Sequence, residues 1–205
     1  MKEFWNERYS AEVFAYGKEP NVFFKQELDK LDKGKILLPA DGEGRNSVYA
    51  AKLGFEVYAC DLSTSGKTKA KALATQENVE INYLVGDFGN LSYKESEFDV
   101  IALIFAHFPA DKKQAYHTLV NKYLKVGGSI IFEAFSKNHI KYNSENPNVG
   151  GPKDLDMLYS LEEIKNDFAN FEFDLLNEQT VELNEGEFHK GTGSVVRFLG
   201  RKINA

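Results

Sequence analysis

Residues Lys35 to Asp61 read KILLPADGEGRNSVYAAKLGFEVYACD, and no other stretch restricts the fold as tightly. Ile36-Leu37-Leu38 is a short apolar run that breaks into Ala40-Asp41-Gly42-Glu43-Gly44-Arg45, a turn with two glycines. Val48, Tyr49, Ala51 and Leu53 then recur at helical spacing, and Gly54 stands where a helix stops. Phe55 to Cys60 is a second apolar run, closed by Asp61. Strand, glycine turn, helix, strand and acid make one parallel βαβ unit. Glycine lets the backbone approach a ligand closely, and the amides at a helix N-terminus favour electron-rich groups. An acid at the tip of the second strand, about 20 residues beyond the turn, can hold a ribose through its two hydroxyls. The unit predicts a nucleoside-containing cofactor.

Two absences narrow the choice. A dinucleotide fingerprint needs a third glycine, and Ser47 stands in its place after Gly42-x-Gly44. No G-x-x-x-x-G-K-[ST] run is present, which argues against a P-loop. The wording GEGRN, followed by an apolar helix and a strand ending in aspartate, resembles the first motifs of class I S-adenosylmethionine-dependent methyltransferases. That resemblance implies that Ala40, Asp41, Gly42 and Gly44 line the cofactor, with Leu62 and Phe105 in its surroundings, and that Asp61 takes its ribose. The chain departs from the family pattern at three positions. Leu38 replaces the acid two residues before the first glycine, Pro39 follows it, and Ala40 replaces that glycine. Asp41 is expected to take over the polar role from a shifted position.

The N-terminal residues 1–33 read as a short cap over the cofactor site rather than a domain. W-N-x-R-Y at Trp5–Tyr9 and Y-G-x-E-P at Tyr16–Pro20 resemble the opening segment of small-molecule methyltransferases of the tellurite-resistance and thiopurine types. The resemblance implies that Trp5, Tyr9 and Tyr16 form an aromatic wall, and a sulfonium sits well over aromatic faces. Asn21 to Leu31 reads as a helix after Pro20.

Composition bounds the rest. A chain of 205 residues with 42% hydrophobic and 27% charged residues suits one soluble α/β domain with a sizeable core. A net charge of −6 leaves no basic surplus for a nucleic-acid backbone. Cys60, the single cysteine, excludes an intrachain disulfide and reads as a buried spacer. No apolar run approaches a membrane span and no signal peptide opens the chain, so a cytoplasmic location is expected.

Beyond Asp61, Ser63 to Thr75 reads as a helix whose lysines 67, 69 and 71 form a solvated face. Ile81 to Val85 is a third strand, ending in Asp87-Phe88; an acid and a ring there suit an adenine amino group and its stacked face, which is how the family uses this position. Phe98 to Phe105 is a fourth strand, apolar throughout as a strand buried on both faces should be. His107 leaves its end, where open α/β sheets bind ligands. Asp111 to Leu124 is an amphipathic helix, L-K-V-G-G a helix-ending turn, and Ser129 to Phe135 a fifth strand. Residues 136–157 are polar and read as a substrate or lid loop. Ser160 and Glu163 form a capping box. Phe171 to Leu183 and Ser194 to Ile203 read as a terminal antiparallel pair. Glu182, Glu185 and Glu187 are expected on its solvated rim; His189 has two readings, reaching the site or, the favoured one, lying in solvent.

The resulting expectation is one domain over residues 1–205 with a Rossmann-like, mostly parallel sheet of order 3-2-1-4-5-7-6 and helices on both faces. Its expected activity is methyl transfer from S-adenosyl-L-methionine to a small soluble acceptor such as a thiol or chalcogen oxyanion. A sulfonium is already an activated donor, so alignment and water exclusion are the main tasks. A thiolate needs no base, whereas an alcohol or amine does, and His107 is the expected proton acceptor. Tyr16, Glu133, Tyr142 and Arg197 are further substrate-facing candidates. No H-E-x-x-H, C-x-x-C or G-x-S-x-G is present, and the four histidines show no metal-ligand spacing. Two other readings are a cofactor-binding protein without turnover and an NAD-dependent oxidoreductase. The missing third glycine and the terminal strand pair weaken the second.

Overall fold

A computed structural model describes residues 1–204. Seven strands form a single sheet in the order β3-β2-β1-β4-β5-β7-β6. β1 (Lys35–Pro39), β2 (Glu56–Asp61), β3 (Asn82–Val85), β4 (Phe98–Ile104) and β5 (Leu124–Phe135) run parallel. β6 (Phe171–Glu185) and β7 (His189–Lys202) pair antiparallel, and β7 also pairs antiparallel with β5. The expected order is the observed one.

Strand alternation divides the core into two layers. Ile36, Leu38, Val57, Ala59, Val100 and Ala102 face one side, under α2 (Val22–Leu28), α3 (Arg45–Lys52) and α4 (Thr64–Gln76). Leu37, Cys60, Ile101 and Leu103 face the other, under α5 (Lys113–Tyr123) and α7 (Leu161–Asp167). Leu38, 2% exposed, belongs to the first layer, so the position of the family's acid is here a packing position. Cys60 is buried, as expected.

The caps follow from sequence. Asn21 accepts from Phe24 N at the start of α2, Ser63 from Gly66 N at the start of α4, and Ser160 and Glu163 complete the capping box of α7. Two local expectations need correction. L-K-V-G-G is the irregular start of β5, opposite a register shift between Phe98 and Val100, rather than a turn. The terminal strands are longer than expected and converge to a connection of three residues, 186–188, with Glu185 paired to His189. Residues 136–157 fold into α6 (His139–Glu145) and two 3-10 turns. No helix among the described residues is long and apolar enough to cross a membrane.

Candidate active site

β1 to β4 end at one edge of the sheet, and the segments leaving them surround a cleft of about 790 Å³. The carboxyl edge of parallel strands is where an open α/β sheet can present loop amides and side chains to a ligand. α1 (Lys2–Arg8), the strap 9–17, the loop 147–157 and the β6–β7 connection supply its walls.

Backbone conformation at two strand ends marks this edge. Ala40 and Phe105, the first residues after β1 and β4, both have positive φ, at 56° and 51°. Non-glycine residues in that region cost about 1–3 kcal/mol each and persist where the surrounding structure over-determines them. Gly42, at φ 63°, has no space for a side chain, since a Cβ there would lie 2.7 Å from the Tyr9 hydroxyl. Gly44 serves packing instead: its φ is 89°, a Cβ would lie 2.5 Å from Ala70 Cβ, and it does not line the cleft.

Asp61 sits beside this turn, accepting from Gly42 N at 3.1 Å and Ser63 N at 2.8 Å. Burial pushes its carboxyl up to about 6, against those backbone hydrogen bonds. Asp41 is pushed up to about 7 by burial; Oδ1 accepts from Ser47 N at 3.3 Å, and Oδ2 is sealed in without a partner. That carboxyl therefore points toward the start of α3. Burial also raises Asp87, but hydrogen bonds from Lys112, at 2.6 Å, and Tyr116 outweigh it and hold the carboxyl below its ordinary range. Phe88 lies behind it, nearly parallel to Phe108.

The N-terminal segment is fastened down. Asn6 Oδ1 accepts from Ser63 Oγ and Thr64 N, tying α1 to the start of α4. Lys69 donates to Ala11 O and Val13 O at 2.8 Å and pairs with the buried Glu43 at 2.6 Å; Glu43 in turn accepts from Ala15 N. Lys69 is thus a strap anchor rather than part of a solvated face, and Lys71 donates to Ile81 O. Trp5 stacks on Tyr9 at 5.4 Å, and Arg8 lies over Phe188 at 3.7 Å while donating to the Tyr16 hydroxyl at 3.4 Å.

The cleft gathers Trp5, Tyr9, Tyr16, Ala40, Asp41, Gly42, Asp61, Leu62, Asp87, Phe88, Phe105 and His107 from the expected set. It does not gather Glu133, Tyr142 or Arg197. Glu133, 1% exposed, is buried beneath the sheet edge, where it pairs with Arg197 and accepts from Asn21 Nδ2 at 3.1 Å. Arg197 faces that carboxylate and lies over Phe23, and Tyr142 meets Thr180 on the outer side of α6.

His107 lines the cleft but has no nitrogen to offer. Nδ1 lies 3.1 Å from Met157 O, Nε2 accepts from Phe135 N at 3.3 Å, and burial pushes the ring down to about 3. Met157 O can only accept, so Nδ1 carries the hydrogen and the Nε2 lone pair is already engaged. The ring anchors the 147–157 loop to β5, which corrects the expectation of a proton acceptor. His189, expected in solvent, is 4% exposed and lines the cleft between Tyr16 and Phe105, at 4.5 and 4.6 Å. Its Nδ1 lies 2.9 Å from Glu185 Oε2. Glu185 is likewise buried rather than rim-solvated, and pairs with Arg45 at 2.9 Å. Among the described residues no group of three or more His, Cys, Asp or Glu is placed to hold a metal ion.

Residues 36–128 match the methyltransferase domain family. The probable S-adenosyl-L-methionine-dependent methyltransferase TehB of Haemophilus influenzae is 25% identical over 170 residues, covering 79% of this chain and 54% of that protein. The chain thus spans about half the length of the curated relatives it matches. The crystal structure of TehB from H. influenzae superposes with a TM-score of 0.72 at 19% identity, over 98% of this chain and 66% of the other. A structure describing conversion of a disulfide bond into a thioacetal group during echinomycin biosynthesis gives 0.76 at 19% identity, over 100% and 94%. These likenesses carry the fold.

Proposed function

We propose that this chain, whose residues 36–128 match the methyltransferase domain family, transfers a methyl group from S-adenosyl-L-methionine to a small soluble acceptor. The observation that carries the reading is the union, in one walled cleft, of the glycine turn after β1 and the carboxylate that ends β2. When bound, the cofactor supplies a sulfonium-activated methyl group. The chain's own residues do the remaining work.

Asp61 retains lone pairs for ribose hydroxyls, and the strained turn from Ala40 to Gly42 brings backbone amides to the same place. Asp87 and Phe88 stand after β3 for the base. Trp5 and Tyr9 close over this half as the inner face of the cap, held by Asn6 and Lys69. The acceptor half lies between Tyr16, Phe105, His189 and the 147–157 loop, and its aromatic lining excludes water. There His189 is the group positioned to take a proton from an alcohol or amine; a thiolate acceptor needs none. In this reading residues 1–33 are a cap, 136–157 carry the acceptor-side wall, and 1–205 act as one domain.

Thermal unfolding with S-adenosylmethionine, S-adenosylhomocysteine, NADH or no ligand tests the proposal. A ligand at about 100 times its dissociation constant adds roughly 2.7 kcal/mol, readily seen as a melting shift. Stabilisation by the two adenosyl compounds alone is expected. Stabilisation by NADH alone overturns the reading in favour of an oxidoreductase. Adenosyl binding with no transfer to any of a broad panel of thiols, oxyanions, alcohols and amines leaves a binding protein.

A further inference from the structure

The closing turn of the β6–β7 hairpin holds a buried charge cluster with a definite hydrogen-bond polarity. Glu185 ends β6, His189 begins β7, and the two are paired across the turn. Arg45 reaches them from the first turn of α3, immediately after the glycine loop. Glu185 Oε2 accepts from Arg45 Nη2 and stands 2.9 Å from His189 Nδ1, while Oε1 accepts from Asn21 Nδ2 at 3.0 Å. Arg45 also donates to Tyr16 O at 3.1 Å, so the same guanidinium fixes the cap residue that packs on His189.

A carboxylate has no proton to give, so the hydrogen between it and the ring belongs to Nδ1. The neutral ring then carries its lone pair on Nε2, which has no hydrogen-bond partner among the described residues and is not sealed from the cleft. Gly150 keeps that edge open, since a Cβ there would lie 2.9 Å from His189 Cδ2 and 3.4 Å from Nε2. Arg45 is essential to the arrangement. A buried carboxylate facing an imidazole without a fixed cation would rise in pKa and compete for the ring's proton.

We propose that Glu185, held by Arg45 and Asn21, is a positioning residue that locks His189 in the Nδ1–H tautomer and so presents Nε2 to the acceptor as a proton acceptor. The proposal rests on the transfer reading above for its use, and on hydrogen-bond polarity alone for its existence. It also joins the two halves of the cleft, because the residue that follows the glycine loop sets the protonation state of a ring on the acceptor side.

The test is 15N NMR of the full chain labelled at histidine and free of ligand, with the His189 signals identified by their loss in His189→Asn. At neutral pH the wild-type ring is expected to be protonated at Nδ1 and bare at Nε2. An Nε2–H tautomer there overturns the proposal without any variant. In Glu185→Met the carboxylate that accepts from Nδ1–H is gone, and the ring is expected to lose its fixed tautomer and shift toward Nε2–H. Turnover with a proton-bearing acceptor then falls severalfold as the share of rings with a bare Nε2 drops, and the cofactor KM changes far less. An unchanged tautomer in that variant overturns the lock. A retained melting shift with S-adenosylhomocysteine shows that Glu185→Met is folded. Absence of that shift in wild type sinks the transfer reading and leaves the tautomer result standing.

Discussion

His107 and His189 both pack on Phe135, His107 nearly parallel to it at 5.5 Å and His189 edge-on at 5.3 Å. Both rings line the same cleft, and burial lowers the pKa of both. What separates them is the identity of their partners. His107 meets two backbone groups, one accepting and one donating, and is saturated as a neutral ring. His189 has one hydrogen-bond partner among the described residues, a carboxylate, so a nitrogen remains for chemistry. Proximity to a cleft does not make a base; an unengaged lone pair does.

The largest expected effect comes from exchanging the roles by mutation. His189→Ala lowers kcat about 10²–10⁴-fold for an alcohol or amine acceptor, and leaves cofactor binding by calorimetry nearly unchanged. His107→Ala lowers turnover per folded molecule far less, through the loosened 147–157 loop, and leaves Met157 O and Phe135 N unpaired. It is expected to cost about 2–4 kcal/mol in urea unfolding. The reverse pattern would restore His107 as the base and end the contrast.

Acid titration sharpens the comparison next. The His107 pKa lies near 3 when folded, below its ordinary 6.5, so between these values the unfolded chain binds the proton and the native one does not. Its contribution is complete above pH 6.5 and disappears as pH falls toward 3. About 1–2 kcal/mol is lost between pH 6.5 and 5, after discounting for the ring's partial exposure. Urea midpoints measured across that range should fall less steeply in His107→Gln than in wild type. Asp41 and Asp61, held near 7 and 6, act with the opposite sign, weakening the native state as pH rises from 4 to 7.

Gly150→Ala probes the open edge of His189 directly. With φ at +75° and a Cβ 2.5 Å from Phe188 O, it is expected to lose about 1–3 kcal/mol of stability. Narrowing the approach to Nε2 should also lower kcat more than it raises the cofactor KM. Tyr16→Phe is the mildest change. The hydrogen bond it removes is long, at 3.4 Å, and a net loss near 0.5 kcal/mol corresponds to roughly a twofold effect on kcat/KM.

Much of the fold was legible because its signals are local. The turn from Ala40 to Gly44, the apolar run of β4, and the Ser160–Glu163 capping box each lie within a few residues, and backbone sterics act at that range. The strand ends that border the cleft were legible too, since Asp61 ends β2 while Asp87 and His107 come shortly after β3 and β4. The acceptor side was read less well. Glu133 and Arg197 looked like substrate contacts but neutralise each other across adjacent strands. Lys69 looked solvated but holds the strap from 58 and 56 residues away.

By itself the sequence determined a parallel βαβ core with an acid after its second strand and an antiparallel pair at its end. Those follow from side-chain periodicity, turn chemistry and the reach of neighbouring residues. Only the tertiary structure decided which charged groups are buried and which of the two cleft histidines keeps a free nitrogen. Arg45 and Glu185 are 140 residues apart, and nothing in either neighbourhood announces the other. A charge in a sequence reads as solvated until a partner arrives through the fold, because the desolvation that isolates it and the ion pair that compensates it both exist only after the chain has closed.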